Sequence, residues 1–186
     1  MRVIAGECRS LPLKTPLGEG TRPTADKIKE TLFNILQNEV PGACFADFFA
    51  GSGGIGIEAL SRGARKAYFI ENGKEALSCI GQNLQFTKLY DRAVVLKSDA
   101  FVSVSRIYEK KLDIVFIDPP YGLGYSEKLL NLLARAKYIA GDTILIVEEE
   151  READFSYAEG IGFEVVREKL YKTNKHVFLR KAGETE

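Results

Sequence analysis

Four residues near the middle of the chain, Asp118-Pro119-Pro120-Tyr121, join a carboxylate, a rigid turn and an aromatic ring at the end of the apolar run Leu112-Asp113-Ile114-Val115-Phe116-Ile117. Each proline fixes its own φ and lacks an N–H, and Pro120 restricts Pro119 to extended backbone. The loop therefore presents the Asp118 carboxylate, the Pro119 carbonyl and the Tyr121 ring in a fixed relation. Two acceptors beside a stacking face suit a planar group bearing an –NH2, such as the amine of a nucleobase. The plainer reading is an acidic loop with a buried tyrosine, and the tetrapeptide alone does not separate the two.

A second stretch, Phe48-Phe49-Ala50-Gly51-Ser52-Gly53-Gly54-Ile55-Gly56, places Gly51, Gly53 and Gly56 in the spacing G-x-G-x-x-G between an expected strand and helix. Glycines there allow a sharp turn and let a cofactor approach the backbone N–H groups of a helix N-terminus. Glu71 follows twenty residues after Gly51, where an acidic side chain can accept from ribose hydroxyls. Asp99, preceded by Ser98, follows a third expected strand. A nicotinamide or flavin dinucleotide and S-adenosylmethionine both fit a glycine loop with such carboxylates. For S-adenosylmethionine, Asp47 and the loop Ala50-Gly51-Ser52-Gly53 would hold the amino-acid tail, Glu71 with Asn72 the ribose, and Asp99 with Ala100 the adenine. Hydride transfer has no evident use for Asp118-Pro119-Pro120-Tyr121, whereas methyl transfer to a conjugated amine does, so the methyl donor is the expected cofactor.

These residues need a scaffold, and the chain alternates strand and helix signals from Ala43 onward. Strands are expected at 44–49, 66–70, 93–97, 113–117 and 143–148, with helices at 55–62, 74–86, 101–108 and 126–138. Two further strands, 163–170 and 177–180, flank the polar turn Lys172-Thr173-Asn174-Lys175 and read as an antiparallel hairpin. The fold class is α/β: a Rossmann-like, mainly parallel seven-stranded sheet with a C-terminal antiparallel hairpin. The glycine loop, Glu71, Asp99 and Asp118 all fall at carboxyl ends of strands, the edge where open α/β sheets bind ligands. Residues 1–40 read as a small N-terminal appendage and 41–186 as the catalytic domain. The appendage pairs a strand from Arg2 to Ala5 with Leu11 to Lys14, then runs into a helix with Thr24 as N-cap and Ile28, Leu32, Ile35 and Leu36 at helical spacing.

With 186 residues, 45% apolar and 28% charged, one globular domain is the simplest organisation. No apolar run is long enough for a membrane span and no secretion signal is evident, so a cytoplasmic location is expected. Cys8, Cys44 and Cys79 form neither a disulfide framework nor a zinc pattern, and with His176 alone no metal site is expected. His176 reads as structural. Net charge is zero, so nucleic-acid binding must rest on local clusters. One is Arg2, Arg9, Lys14, Arg22 and Lys27, and a second is Lys169, Lys172, Lys175, Arg180 and Lys181 in the terminal hairpin.

Together, Phe49-Ala50-Gly51-Ser52-Gly53 and Asp118-Pro119-Pro120-Tyr121 resemble the class I S-adenosylmethionine-dependent methyltransferases that modify exocyclic amino groups. Three segments narrow the match: Arg2-Val3-Ile4-Ala5-Gly6; Thr21-Arg22-Pro23-Thr24-Ala25-Asp26-Lys27 with Glu30-Thr31-Leu32-Phe33-Asn34; and Asp47 to Gly53 through Glu58-Ala59-Leu60-Ser61-Arg62-Gly63-Ala64. They resemble the bacterial small-subunit (16S) ribosomal RNA guanine-N(2) methyltransferases. The chain departs from that pattern at Ser10, where the family usually has glycine, at Phe48, and at Gly54-Ile55. The resemblance implies methyl transfer to the 2-amino group of one guanine, by a monomer and without a metal. Asp118 and the Pro119 carbonyl would accept the amine hydrogens, Pro120 would stiffen the loop and Tyr121 would stack on the base. It further implies RNA contacts by Arg2, Arg9, Arg22, Thr24, Lys27 and Tyr125, within a ribosomal subunit or an assembly intermediate. The competing readings are a DNA adenine-N(6) methyltransferase, a nicotinamide-dependent oxidoreductase and a non-catalytic ribosome-binding module.

Overall fold

Along Leu112–Ile117, Ile114 and Phe116 join one apolar cluster while Val115 and Ile117 join another, as the two-residue period of an extended chain requires. A strand buried on both faces belongs in the middle of a covered sheet. The computed structural model, which describes residues 1–16 and 23–183, places it there. In chain order the elements are α1 (Pro23–Ile35), β1 (Cys44–Phe48), α2 (Gly54–Ser61), β2 (Lys66–Glu71), α3 (Lys74–Thr87), β3 (Ala93–Lys97), α4 (Ala100–Ser103), β4 (Leu112–Ile117), α5 (Tyr125–Ala134), β5 (Ile139–Glu150), β6 (Phe163–Leu170) and β7 (Asn174–Lys181). The seven strands form one sheet in the order β3-β2-β1-β4-β5-β7-β6. The first five are parallel, and β7 pairs antiparallel with both β5 and β6. Order reverses between β1 and β4, and the crevice above that switch is the standard ligand position of such sheets.

Three elements differ from expectation in instructive ways. Pro23 is itself helical, so Thr24 lies inside the first turn of α1 rather than at its N-cap; proline suits that first position because its φ is preset and its missing N–H has no partner to lose there. The expected helix at 101–108 is one α-helical turn followed by a 3-10 turn at Val104–Arg106. And α5 stops at Ala134 because Tyr138 is drawn inward, its hydroxyl donating to the Val104 carbonyl at 2.8 Å, which delivers the chain to β5.

The N-terminal segment is tied to the sheet by one carboxylate. Glu58 on α2 is fully buried and accepts from the Ile4 and Ala5 N–H groups at 2.8 and 3.0 Å, while pairing with Lys29 of α1 at 3.3 Å and Arg62 at 2.8 Å. Lys29 Nζ also donates to the Arg2 carbonyl at 2.6 Å. Burial pulls the Lys29 pKa down, with Glu58 opposing. Gly6 explains the tight approach: at φ 85°, a Cβ on it would stand 1.9 Å from the Ser61 carbonyl oxygen. Val3, Leu13, Leu32, Phe33 and Leu36 consequently share one apolar cluster with Phe45, Leu60 and Phe116. Replacing Glu58 by Ala strands a buried ammonium and two N–H groups. It should lower unfolding free energy by about 3–5 kcal/mol, measured by chemical denaturation, and expose residues 1–14 to proteolysis before the sheet unfolds. Equal stability would mean that the cluster alone anchors the segment.

Arg2 and Pro12 form a single antiparallel bridge, with Val3 donating to Leu11 at 3.0 Å and Ser10 to Val3 at 2.8 Å. Ser10 has φ 69°, a left-handed geometry that costs a side chain about 1 kcal/mol. Glycine would be more comfortable at this turn. Among the described residues no helix is long and apolar enough to cross a membrane.

Candidate active site

The turn after β1 is built from unusual backbone. Phe49, Gly51 and Gly53 have φ of 61°, 53° and 81°, which throws the chain from the strand end into the start of α2. The glycines have separate reasons. A Cβ on Gly56 would lie 2.4 Å from the Phe69 ring, so this glycine lets α2 press against β2. A Cβ on Gly51 would meet nothing within 4 Å. That open space is where a ligand can reach the loop.

Two carboxylates hold the turn in shape. Glu71, ending β2, accepts from Gly51 N–H through Oε2 at 2.9 Å and from Asn72 and Gly73 N–H through Oε1 at 2.8 and 2.7 Å. A carboxylate oxygen takes two donors, so Oε2 retains capacity for a hydroxyl. Asp47 is 1% exposed and accepts from Gly56 N–H at 2.9 Å. Burial pushes its pKa up to about 7; the Gly56 N–H opposes this and the Glu71 charge adds to it.

A cavity of about 740 Å³ opens above these strand ends. Asp47, Ala50, Gly51, Ser52, Glu71 and Asn72 line one side, and Asp118, Pro119, Pro120 and Tyr121 line the other. Its size suits a cofactor together with part of a substrate. Asp118 and Pro120 are exposed, Pro119 is buried, and the Asp118 N–H donates to the Phe48 carbonyl at 3.3 Å, joining the loop to the end of β1. The donor set fits S-adenosylmethionine: a buried carboxylate for an ammonium, an acidic strand end for hydroxyls, and a glycine where backbone must be approached.

The other residues singled out from sequence are distributed less evenly. Asp99 caps α4 through Oδ1, accepting from Phe101 N–H at 2.9 Å and Val102 N–H at 3.3 Å, and Ala100 is buried in the core. Neither they nor Gly53 lines the cavity among the described residues. Asp99 nevertheless follows Ser98, whose N–H donates to the Glu71 carbonyl at 3.0 Å, so it stands at the same sheet edge. Tyr125 is packed within an aromatic group, stacked on Phe49 at 6.2 Å with Phe101 edge-on at 5.2 Å. Arg2 pairs with Asp26 at 3.4 Å beside the cavity, and Arg9 and Lys27 are exposed. Arg22 lies outside the described residues. In the terminal hairpin, Lys175 is buried against Glu168 at 2.7 Å and so leaves the basic cluster.

Sequence reasoning missed the cavity's far wall. Phe49, Phe116, Glu148, Thr173, Asn174 and His176 line it. Glu148 had a legible signal, since it ends the strand expected at 143–148. His176 had none: it faces Glu148 only through the pairing register of β5 with β7.

Strand order, glycine loop and carboxylates at the strand ends define a Rossmann-like class I methyltransferase. Solved structures agree, among them "Putative methyltransferase yhhF from Escherichia coli", with TM-score 0.83 and 32% identity, covering 99% of each chain. The chain belongs to the family described as "Conserved hypothetical protein 95", which matches residues 1–180. Similar curated proteins include ribosomal RNA small subunit methyltransferase D of Escherichia coli (strain K12), 38% identical over 154 residues, 82% of this chain and 76% of that one. Another is "Putative rRNA methyltransferase YlbH" of Bacillus subtilis (strain 168), 32% identical over 185 residues, 98% of this chain and 100% of that one.

Proposed function

We propose that this chain transfers the methyl group of S-adenosylmethionine to the exocyclic 2-amino group of a guanine in small-subunit ribosomal RNA. The observation that carries the reading is the meeting of the glycine loop, Asp47 and Glu71 with Asp118-Pro119-Pro120-Tyr121 in one cavity. The relatives named for small-subunit ribosomal RNA supply the substrate class. When bound, the cofactor supplies a methyl group on a positively charged sulfur. Asp47 pairs with its ammonium, Glu71 and Asn72 hold the ribose, the loop Ala50-Gly51-Ser52-Gly53 lies along the tail, and Asp99 accepts from the adenine amine beside Ala100.

The chain's own groups manage the amine. Its nitrogen lone pair is delocalised into the base, so the nitrogen must be turned toward tetrahedral geometry before it attacks. Asp118 and the Pro119 carbonyl accept the two amine hydrogens, Pro120 keeps that carbonyl in place, and Tyr121 supports the face of the base. Asp118 then takes the proton released by transfer. Positioning does most of the work. The base enters extruded from its stack, at a cost of a few kcal/mol that is least in a loop.

The RNA is held by the N-terminal forty residues through Arg2, Arg9, Arg22, Thr24 and Lys27. The enzyme works as a cytoplasmic monomer on a ribosomal subunit or assembly intermediate. Arg9→Ala with Lys27→Ala should weaken RNA binding and shallow the log K against log salt slope by about 2, one per lost phosphate contact; an unchanged slope would move the RNA to another face. The direct test is labelled-methyl transfer to unmodified small subunits, their extracted RNA, and DNA, with products digested to nucleosides. N(2)-methylguanosine supports the assignment. Label in adenine of DNA would replace it with the DNA reading.

A further inference from the structure

Beyond the cofactor and amine contacts, the cavity's far wall contains a hydrogen-bonded chain that the reaction as derived does not use. Glu148 on β5 accepts through Oε1 from Asn174 Nδ2 at 2.5 Å and from the Tyr121 hydroxyl at 3.3 Å. Its Oε2 lies 2.9 Å from His176 Nε2, and His176 Nδ1 lies 3.1 Å from the Tyr171 hydroxyl. His176 is fully buried, with the Phe116 and Tyr171 rings edge-on to it at 5.7 and 5.0 Å. These partners assign the donors. Burial, reinforced by the Glu148 charge, pushes the Tyr171 phenol up to about 12, and Glu148, as a carboxylate, only accepts. Nε2 then carries the imidazole hydrogen and donates to Glu148.

This chain reaches the loop just beyond its prolines. Residues 120–124 are exposed, Gly122 and Gly124 have φ of 74° and 66°, and a Cβ on either would meet nothing within 4 Å. Glu149, pointing to the opposite face of β5, accepts from Ser126 Oγ at 2.6 Å and fixes the start of α5. Two adjacent carboxylates on one strand therefore tie down both ends of the segment from Tyr121 to Ser126. Burial and the Glu148 and Asp118 charges keep the Tyr121 phenol protonated, as a donor.

We infer that Glu148 is a positioning residue for the acceptor loop: clamped by Asn174 and His176 of the terminal hairpin, it holds the Tyr121 hydroxyl and so sets the plane on which the target base lies. The inference rests on the reading of Asp118–Tyr121 as the acceptor-binding loop. It gives the hairpin β6–β7 a part in the active site independent of any contact with RNA. Asn174 and His176 both hold this carboxylate, and Asn174 also bonds the Tyr121 hydroxyl.

The test compares Tyr121→Phe, Glu148→Ala, Glu148→Gln and the double variant Tyr121→Phe/Glu148→Ala, by amide hydrogen exchange of residues 121–125 and by methyl transfer to small subunits. Tyr121→Phe and Glu148→Ala should each speed exchange in that segment by about tenfold while the rest of the sheet exchanges as before. Each should lower kcat by about tenfold, with KM for the methyl donor changed less than about twofold. The double variant should be no worse than the poorer single one, because both cut the same link. Glu148→Gln keeps an acceptor oxygen for Tyr121 and should recover to within about threefold of wild type. Unchanged exchange in both single variants, or losses that multiply in the double, would overturn the clamp. If exchange responds but wild type leaves ribosomal RNA unmodified, the clamp stands and the substrate assignment falls. If wild type methylates and loop exchange is indifferent, the reverse holds.

Discussion

Asp118→Ala should reduce kcat for methyl transfer by about 10²- to 10³-fold, within the range typical of a positioned proton acceptor. Asp118 stands at the end of β4, with its N–H on the Phe48 carbonyl and its side chain exposed at the cavity wall. Substitution there leaves the core intact, so melting temperature and affinity for the methyl donor should stay near those of wild type. Asp118→Asn is the sharper comparison, because the amide keeps one acceptor oxygen but cannot take up a proton and can turn an N–H toward the amine. It should fall nearly as far as Asp118→Ala. The measurement is single-turnover transfer to small subunits, which separates chemistry from product release. A rate within about threefold of wild type for either variant would remove Asp118 from the reaction.

Asp47→Asn should have opposite effects on binding and on stability. Asp47 is buried and its pKa is pushed up to about 7, foremost by burial. In the unfolded chain an aspartate ionises near about 3.9, so between those values the folded protein binds more protons. Its contribution to stability is therefore full below about pH 4 and is lost as pH rises through about 7. At pH 8 the wild type carries a buried negative charge that the asparagine variant lacks. The variant should then be more stable by on the order of 2–4 kcal/mol, at about 1.4 kcal/mol per tenfold change in proton affinity, and that advantage should vanish near pH 4. Binding runs the other way. An ammonium requires the ionised carboxylate, so wild-type affinity for S-adenosylmethionine should rise about tenfold per pH unit up to about pH 7 and then level. Asp47→Asn should bind at least about 10²-fold more weakly at pH 8, because the ammonium then lacks its buried counter-charge. Calorimetric titration from pH 5.5 to 8.5 (roughly the span in which Asp47 changes charge) checks both. A flat affinity profile would separate Asp47 from the cofactor tail.

Much of this protein is written in short-range signals. The apolar run along 114–117, the glycines at 51, 53 and 56, and the proline pair at 119–120 each act within a few residues, so strand, turn and rigid loop can be read without knowing what they meet. Because every parallel strand must run the same way, carboxylates at strand ends fall on one edge, and the gathering of Asp47, Glu71 and Asp118 in one cavity follows from order alone. Ser10 is a similar case: a residue standing where glycine is usual adopts φ 69°.

Other features depend on partners far along the chain. Glu58 reads as one more polar residue of a helix, yet it is fully buried, because Ile4, Ala5, Lys29 and Arg62 converge on it from three segments. Tyr125 could have faced RNA from its position beside the loop, but its ring is stacked on Phe49 and met edge-on by Phe101. His176, which reads from the sequence as a structural residue, becomes part of the cavity wall because β7 inserts between β5 and β6 with Glu148 in register opposite it. Strand and helix are decided by local backbone preference, which neighbours reveal. Which side chains meet is decided by register and packing between distant segments, and a shift of one residue in β7 would have turned His176 away from Glu148.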